Sequence, residues 1–123
     1  MSSDYTITYR GTDYVLSAGL LVEAHQQDLR SIGLQMVQLP TPSNGSWAIC
    51  RARVTTERGT FTSYGDARPG NAGCSDTTTL IRLSQIRAKA HALCDALNLA
   101  LIPIEGLPGY VPDWLSVPEP TDR

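Results

Sequence analysis

Polar and apolar residues alternate through three stretches in the middle of the chain, and apolar residues then recur every three or four positions over one longer stretch. The first period belongs to strands with one buried face, the second to an amphipathic helix. Ile32, Leu34 and Met36 alternate with polar neighbours until Val37 and Leu39 fall out of step, which predicts a bulged strand before the Pro40-Thr41-Pro42 stop. After a Ser43-Asn44-Gly45 turn, the stretch from Trp47 to Glu57 sets Cys50, Ala52, Val54 and Thr56 on one side. Trp47, Ile49, Arg51, Arg53, Thr55 and Glu57 fall on the other. Arg58-Gly59 turns the chain into a third strand, Thr60 to Tyr64. The segment from Gly65 to Asp76 has three glycines and a proline and reads as a connector with room to move, whose Ser75 or Asp76 caps the next helix. In that helix, Thr77 to Asn98, the residues Leu80, Leu83, Ile86, Ala90, Leu93 and Leu97 make a buried stripe. Arg82 and Lys89 flank it on one side, Arg87 and His91 on the other.

Upstream, Tyr5 to Arg10 and Tyr14-Val15 read as a small hairpin around Gly11 to Asp13. A first helix is expected from Ser17, as N-cap, to Arg30, with Ala18, Leu21, Val22, His25 and Leu29 on its inner face. After Ile102, five of the eight prolines fall in the last 21 residues with Glu105, Asp113, Glu119 and Asp122, so the chain ends in a proline-rich acidic tail. Trp114 and Leu115 in that tail read as a contact for the chain's own core, a neighbouring subunit or a protein partner. The expected fold is α+β. A helix, a three-stranded antiparallel sheet and a long helix (a β-β-β-α core) follow an N-terminal hairpin, with a domain over residues 1–102 and the tail over 103–123.

Charge changes the picture more than length does. At 123 residues the chain supports one core. The net charge of -2 hides a dipolar layout, because residues 30–99 carry eight Arg or Lys against four Asp or Glu and both flanks are acidic. Local charge, not the net value, governs contact with phosphate. Nine of the ten basic residues are arginine, which suits bidentate and stacking contacts. The three cysteines, without C-x-x-C spacing, point away from a disulfide framework and from a zinc site; Cys50 and Cys94 read as core residues and Cys74 as a loop thiol. No apolar run approaches the roughly 20 residues of a membrane span, and no basic, apolar leader opens the chain, so a cytoplasmic location is expected. There is no H-E-x-x-H, P-loop or nucleophile elbow, and neither His25 nor His91 has a partner motif. Binding rather than catalysis is expected, without a cofactor.

Three segments carry a resemblance: GLLVEAHQQDLRSI leading into the first strand, SWAICRARVTTERGTFTSYGDA across the second and third, and LIRLSQIRAKAHALCDALN in the long helix with its Ala92-Leu93 pair. In this order and spacing, residues 11 to 101 resemble the Rad-fifty-two-type single-strand annealing proteins, including their bacterial DNA-damage-response relatives. The chain departs from that pattern at Leu20 and Leu21, where the family has an early basic residue, and at Ala90-His91, where it has a Lys-Arg pair. The resemblance implies ATP-independent binding of single-stranded DNA and annealing of complementary strands, in recombination or repair, by a homo-oligomeric ring or arc. It further implies that Arg51 and Arg53 hold the DNA backbone from the sheet, that Arg82, Arg87 and Lys89 hold it from the long helix, and that Tyr64, with Trp47 as a second candidate, offers a stacking surface. Two other readings stand beside it. Helix, three strands and helix is also the layout of a double-stranded RNA-binding module, and the same elements suit a structural or interaction protein without nucleic acid.

Overall fold

The computed structural model describes residues 6–98 together with Pro103, Ile104 and Tyr110. The architecture is α+β, with a two-stranded and a three-stranded antiparallel sheet and one long helix near the C-terminal end of the described chain. Strands β1 (Thr6–Tyr9) and β2 (Thr12–Val15) form a hairpin. Its turn residues Arg10 and Gly11 both have positive φ, 52° and 81°, the geometry that matches a two-residue turn to strand twist. Helix α1 (Ser17–Gln26) leads into β3 (Leu29–Gln38), β4 (Ala48–Thr56) and β5 (Gly59–Ala67), in spatial order β3-β4-β5. A short helix α2 (Pro69–Ala72) precedes α3 (Thr77–Leu97).

Strand β4 alternates as the sequence requires. Ala48, Cys50, Ala52, Val54 and Thr56 are buried under α3, and the residues between them face the other way. The expected bulge is present, as a register shift between Met36 and Gln38, and a second lies between Leu29 and Ser31. Burial raises the pKa of the Cys50 thiol, against the hydrogen bond from Gln35. Asp76 caps α3, its carboxylate accepting from the Thr79 backbone N–H at 2.9 Å and from its hydroxyl at 2.8 Å. At the other end of α3 the Arg58 guanidinium, from the β4–β5 turn, donates to the Ala96 carbonyl at 2.6 Å. A cation brought by another element thus meets the negative end of a helix whose own last turn has none.

Two expectations fail on the same tertiary fact, that α3 lies very close to the sheet, and a third fails on where β3 begins. The supposed loop from Gly65 begins as strand: Gly65, Asp66 and Ala67 pair with Cys50, Ile49 and Ala48. A Cβ at Gly65 would stand 2.2 Å from the Ala88 nitrogen and 2.6 Å from the Ser84 carbonyl oxygen, so this glycine marks a close approach and not a mobile connector. The inner face of α3 is also broader than its leucine stripe. Ser84, Ala88, Ala92 and Ala96, four residues apart, are buried as a ridge of small side chains, and Arg87 is buried with them. Helix α1 is shorter than expected and turned: Leu20 and Ala24 are its buried contacts, whereas Ala18, Val22 and His25 are exposed. Counting Leu29 into the helix selected the wrong face, because Leu29 belongs to β3.

Leu20 and Ala24 join Val15, Cys50, Ala52, Val54 and Leu93 in the main apolar cluster. A second cluster, with Ala48, Ala67, Leu80 and Leu83, lies toward the start of α3. Pro103 and Ile104 are buried and Pro103 bridges Val15, so the packed body extends past residue 102 into the segment expected to be tail. The rest of that tail, apart from Tyr110, lies outside the described residues, as do Trp114 and Leu115. No helix of the described chain is long and apolar enough to cross a membrane.

Gly65→Ala is expected to destabilise the protein by about 3 kcal/mol, since helix or strand backbone has to move. Gly33→Ala, at a β3 position where a Cβ meets nothing within 4 Å, should stay within about 0.5 kcal/mol of wild type. Urea unfolding of the two variants provides the comparison. A pH effect follows from Asp76, whose pKa is lowered first by the Thr79 hydroxyl and then by the Thr79 backbone N–H, with Arg82 adding to it. A depressed carboxylate contributes fully above its unfolded value of about 3.9 and loses that contribution as pH falls through the folded value. The Tm gap between wild type and Asp76→Ala, measured from pH 7 downward, should therefore hold to about pH 4 and narrow below it.

Candidate nucleic-acid interface

Because α3 and α1 both lie on one side of β3-β4-β5, the opposite face is left without a covering element among the described residues. Strand pairing assigns what stands on it. Arg51 sits between Gln35 on β3 and Tyr64 on β5, and Arg53 between Gly33 and Thr62. The Arg51 guanidinium donates to the Gln35 side-chain carbonyl, which aims it along the sheet, while Arg53 has no side-chain partner among the described residues. Gly33, Leu34, Gln35, Arg51 and Arg53 line a shallow depression there. Tyr64 is 56% exposed beside Arg51, so its ring is open to a ligand.

Farther along the same face, Ile49 is paired with Asp66, and Trp47 is 40% exposed. The indole N–H of Trp47 donates to Asp66 Oδ2 at 2.8 Å, and the Arg68 guanidinium lies 5.6 Å from the centre of the Trp47 ring system. Among the expected site residues, Arg51, Arg53 and Tyr64 are brought together, with Trp47 at the end of their row. Arg68 and Asp66 were missed. Nothing local marks them, because their relation to Trp47 is created by the pairing of β4 with β5 and by the turn into α2.

Arg82 and Lys89 lie elsewhere. With Leu34, Gln85 and Ile86 they line a groove between α3 and the edge strand β3, on the helix side of the sheet. Leu34 pairs with Ala52 and so points to the helix side, yet α3 sits over β4 and β5 and leaves it 42% exposed. The two cationic surfaces therefore meet only around the β3 edge, and the six expected residues do not form one groove.

Arg87 is a correction. Expected to hold DNA backbone, it is 2% exposed, and its guanidinium serves the fold. Nη1 donates to the Asp66 carbonyl at 2.9 Å and Asn71 Oδ1 at 3.0 Å, and Nη2 to the Asn71 carbonyl at 2.9 Å and the Tyr110 carbonyl at 3.1 Å. Nε is buried without a hydrogen-bond partner among the described residues. Desolvation lowers the Arg87 pKa, and the nearby Asp66 opposes that shift. The side chain ties α3 to the end of β5, to α2 and to Tyr110, whose ring packs edge-on against Tyr9 at 5.6 Å.

No cluster of three or more His, Cys, Asp or Glu suited to a metal ion occurs among the described residues. The groups gathered on the open face are arginines, a phenol, an indole and the Asp66 carboxylate, which accepts from the Trp47 indole and the Asn71 amide. The arginines can neutralise phosphate, and the phenol and indole can stack on planar rings. Arg87→Ala should lower stability by about 3 kcal/mol, since three carbonyls and an amide oxygen lose a charged donor. Arg53→Ala should change it by no more than about 0.5 kcal/mol. Chemical denaturation of both variants checks the division between a structural and a surface arginine. Comparison with protein-family models, with curated proteins and with solved structures finds no match to this chain in any of the three.

Proposed function

We propose that this chain binds single-stranded DNA on the open face of its three-stranded sheet and anneals complementary strands without ATP, as a homo-oligomer acting in recombination or repair. The observation that carries the reading is the row of Arg53 and Arg51 on β4, with exposed Tyr64 beside Arg51, on a face that no described element covers. Cations at regular spacing along a strand neutralise a phosphate backbone, and an open ring beside them accepts a base. Stacking of that kind contributes about 1–3 kcal/mol per base and tolerates any sequence. With the backbone held and the remaining base edges outward, a second strand can test for pairing, and duplex formation itself drives the reaction.

Arg82 and Lys89, across the β3 edge, extend the cationic path to where a bound strand leaves the sheet. The resemblance to Rad-fifty-two-type annealing proteins supports the same reading, and Leu34, Val37 and Leu39, exposed on and just after edge strand β3, support self-assembly there. The duplex RNA alternative is weaker on charge. Such modules meet phosphate through a basic start to the second helix, and here Asp76, Thr77, Thr78 and Thr79 occupy that position.

The test is the rate at which two complementary oligonucleotides pair with no nucleotide present, followed by fluorescence at two salt concentrations. Acceleration should weaken with salt, and binding of a single strand should show a log-log salt slope of about -0.7 per phosphate contact. Reversing Arg51 and Arg53 to Glu should weaken single-strand affinity by about tenfold or more, a change of about 1.4 kcal/mol. Reversing Arg82 and Lys89 should weaken it less. A wild type that neither binds single strands nor speeds pairing is an interaction protein, and the proposal falls.

A further inference from the structure

We propose that Trp47 and Arg68 form a nucleobase site at the end of the open sheet face. One unpaired base of a single strand stacks on the Trp47 ring in place of the Arg68 guanidinium, which moves onto that nucleotide's phosphate. The inference rests on the single-strand reading above and adds to it a second stacking position with its own cation.

Trp47 is held by its backbone and by the edge of its ring, and Arg68 rests over the ring's face. The Trp47 backbone N–H donates to Asn44 Oδ1 at 2.9 Å, its carbonyl accepts from the Gln38 amide at 2.8 Å, and its indole N–H donates to Asp66 Oδ2 at 2.8 Å. The same Asn44 oxygen accepts the Thr41 backbone N–H at 3.1 Å, and the Asn44 amide donates to the Leu39 carbonyl at 2.9 Å. One asparagine therefore ties down the turn that presents the ring. Asp66 is itself steadied by the Asn71 amide at 3.3 Å, and Asn71 belongs to the Arg87 network. A ring so fixed is preorganised, and stacking on it sacrifices little freedom.

Arg68 is the movable part. Its guanidinium has no hydrogen-bond or ion-pair partner among the described residues and rests over the indole. Glycine at position 70 leaves room for the side chain there: a Cβ would stand 2.5 Å from Arg68 Nη1. An exposed cation–π contact is weaker than a stacked base, so a base displaces the guanidinium. The released cation then has the phosphate as its partner. The ligand must be unpaired, because bases within a duplex already have both faces stacked and do not offer one to a ring.

The test uses the Trp114→Phe chain, in which Trp47 is the one remaining tryptophan of two. Titration with a thymidine oligonucleotide should quench Trp47 emission with the same midpoint as the anisotropy of the labelled oligonucleotide. Trp47→Ala should weaken affinity roughly ten- to a hundredfold, with Trp47→Phe between it and wild type. Arg68→Ala should lower the salt slope by about 0.7 while leaving the quenching in place. If Trp47→Ala fails to fold, the emission titration decides alone. Binding seen by anisotropy with Trp47 emission unchanged overturns this site and leaves the open-face reading standing. Absence of any oligonucleotide binding overturns both.

Discussion

The contact on which the rest of the structure depends is the approach of α3 to the sheet at Gly65, where strand backbone lies directly beneath the Ser84–Ala88 turn. A helix normally stands off a sheet by the thickness of two side-chain layers. Here the layer between them is made of small groups, with glycine on β5 and Ser84, Ala88, Ala92 and Ala96 on the helix. Close approach brings helix and strand backbones into dispersion contact, which is individually weak and collectively large. It also leaves no slack. A helix seated this deeply on β4 and β5 covers β3 only in part, reaching Met36 through Ser84, and Leu34 is left exposed.

From that seating the two faces of the sheet acquire different characters. The helix side holds the apolar core, with Val15, Leu20, Val54 and Leu93 in one cluster and Leu80 and Leu83 in another. The other side keeps its polar alternation, with threonines on β5 and arginines on β4, and none of its charges has to be buried. Arg87 is the exception that the same geometry explains. It projects from the deep helix into the corner between β5, α2 and Tyr110, where four oxygens converge on its guanidinium. A buried cation is tolerated only when so partnered. The corner that Arg87 holds also contains Asp66 and Asn71, so the buried network and the Trp47 ring on the open face share members.

The β3 edge presents backbone groups that no described strand pairs, with the apolar side chains Leu34, Val37 and Leu39 beside them. The Arg82 and Lys89 groove opens along that same edge. Under the proposed assembly, a neighbour there would extend the sheet and carry its open face onward, giving one small domain with few cations a continuous footprint.

What the sequence determined by itself was local. The alternation in β4 separated Arg51 and Arg53 from Cys50, Ala52 and Val54, because a strand sends successive side chains to opposite faces whatever it packs against. The bulge near Val37 and the Asp76 cap were legible for the same reason, since each is set by a few adjacent residues. Tertiary structure alone decided the true inner face of α1 and how deep α3 sits, and with that depth the strand character of Gly65 and the burial of Arg87. It also decided that Arg68 lies over Trp47 and that Arg82 and Lys89 stand across the sheet from Arg51 and Arg53. These depend on residues far apart in the chain being brought within a few ångströms, and neither period nor spacing along a single segment encodes which distant backbone will lie beneath a given side chain.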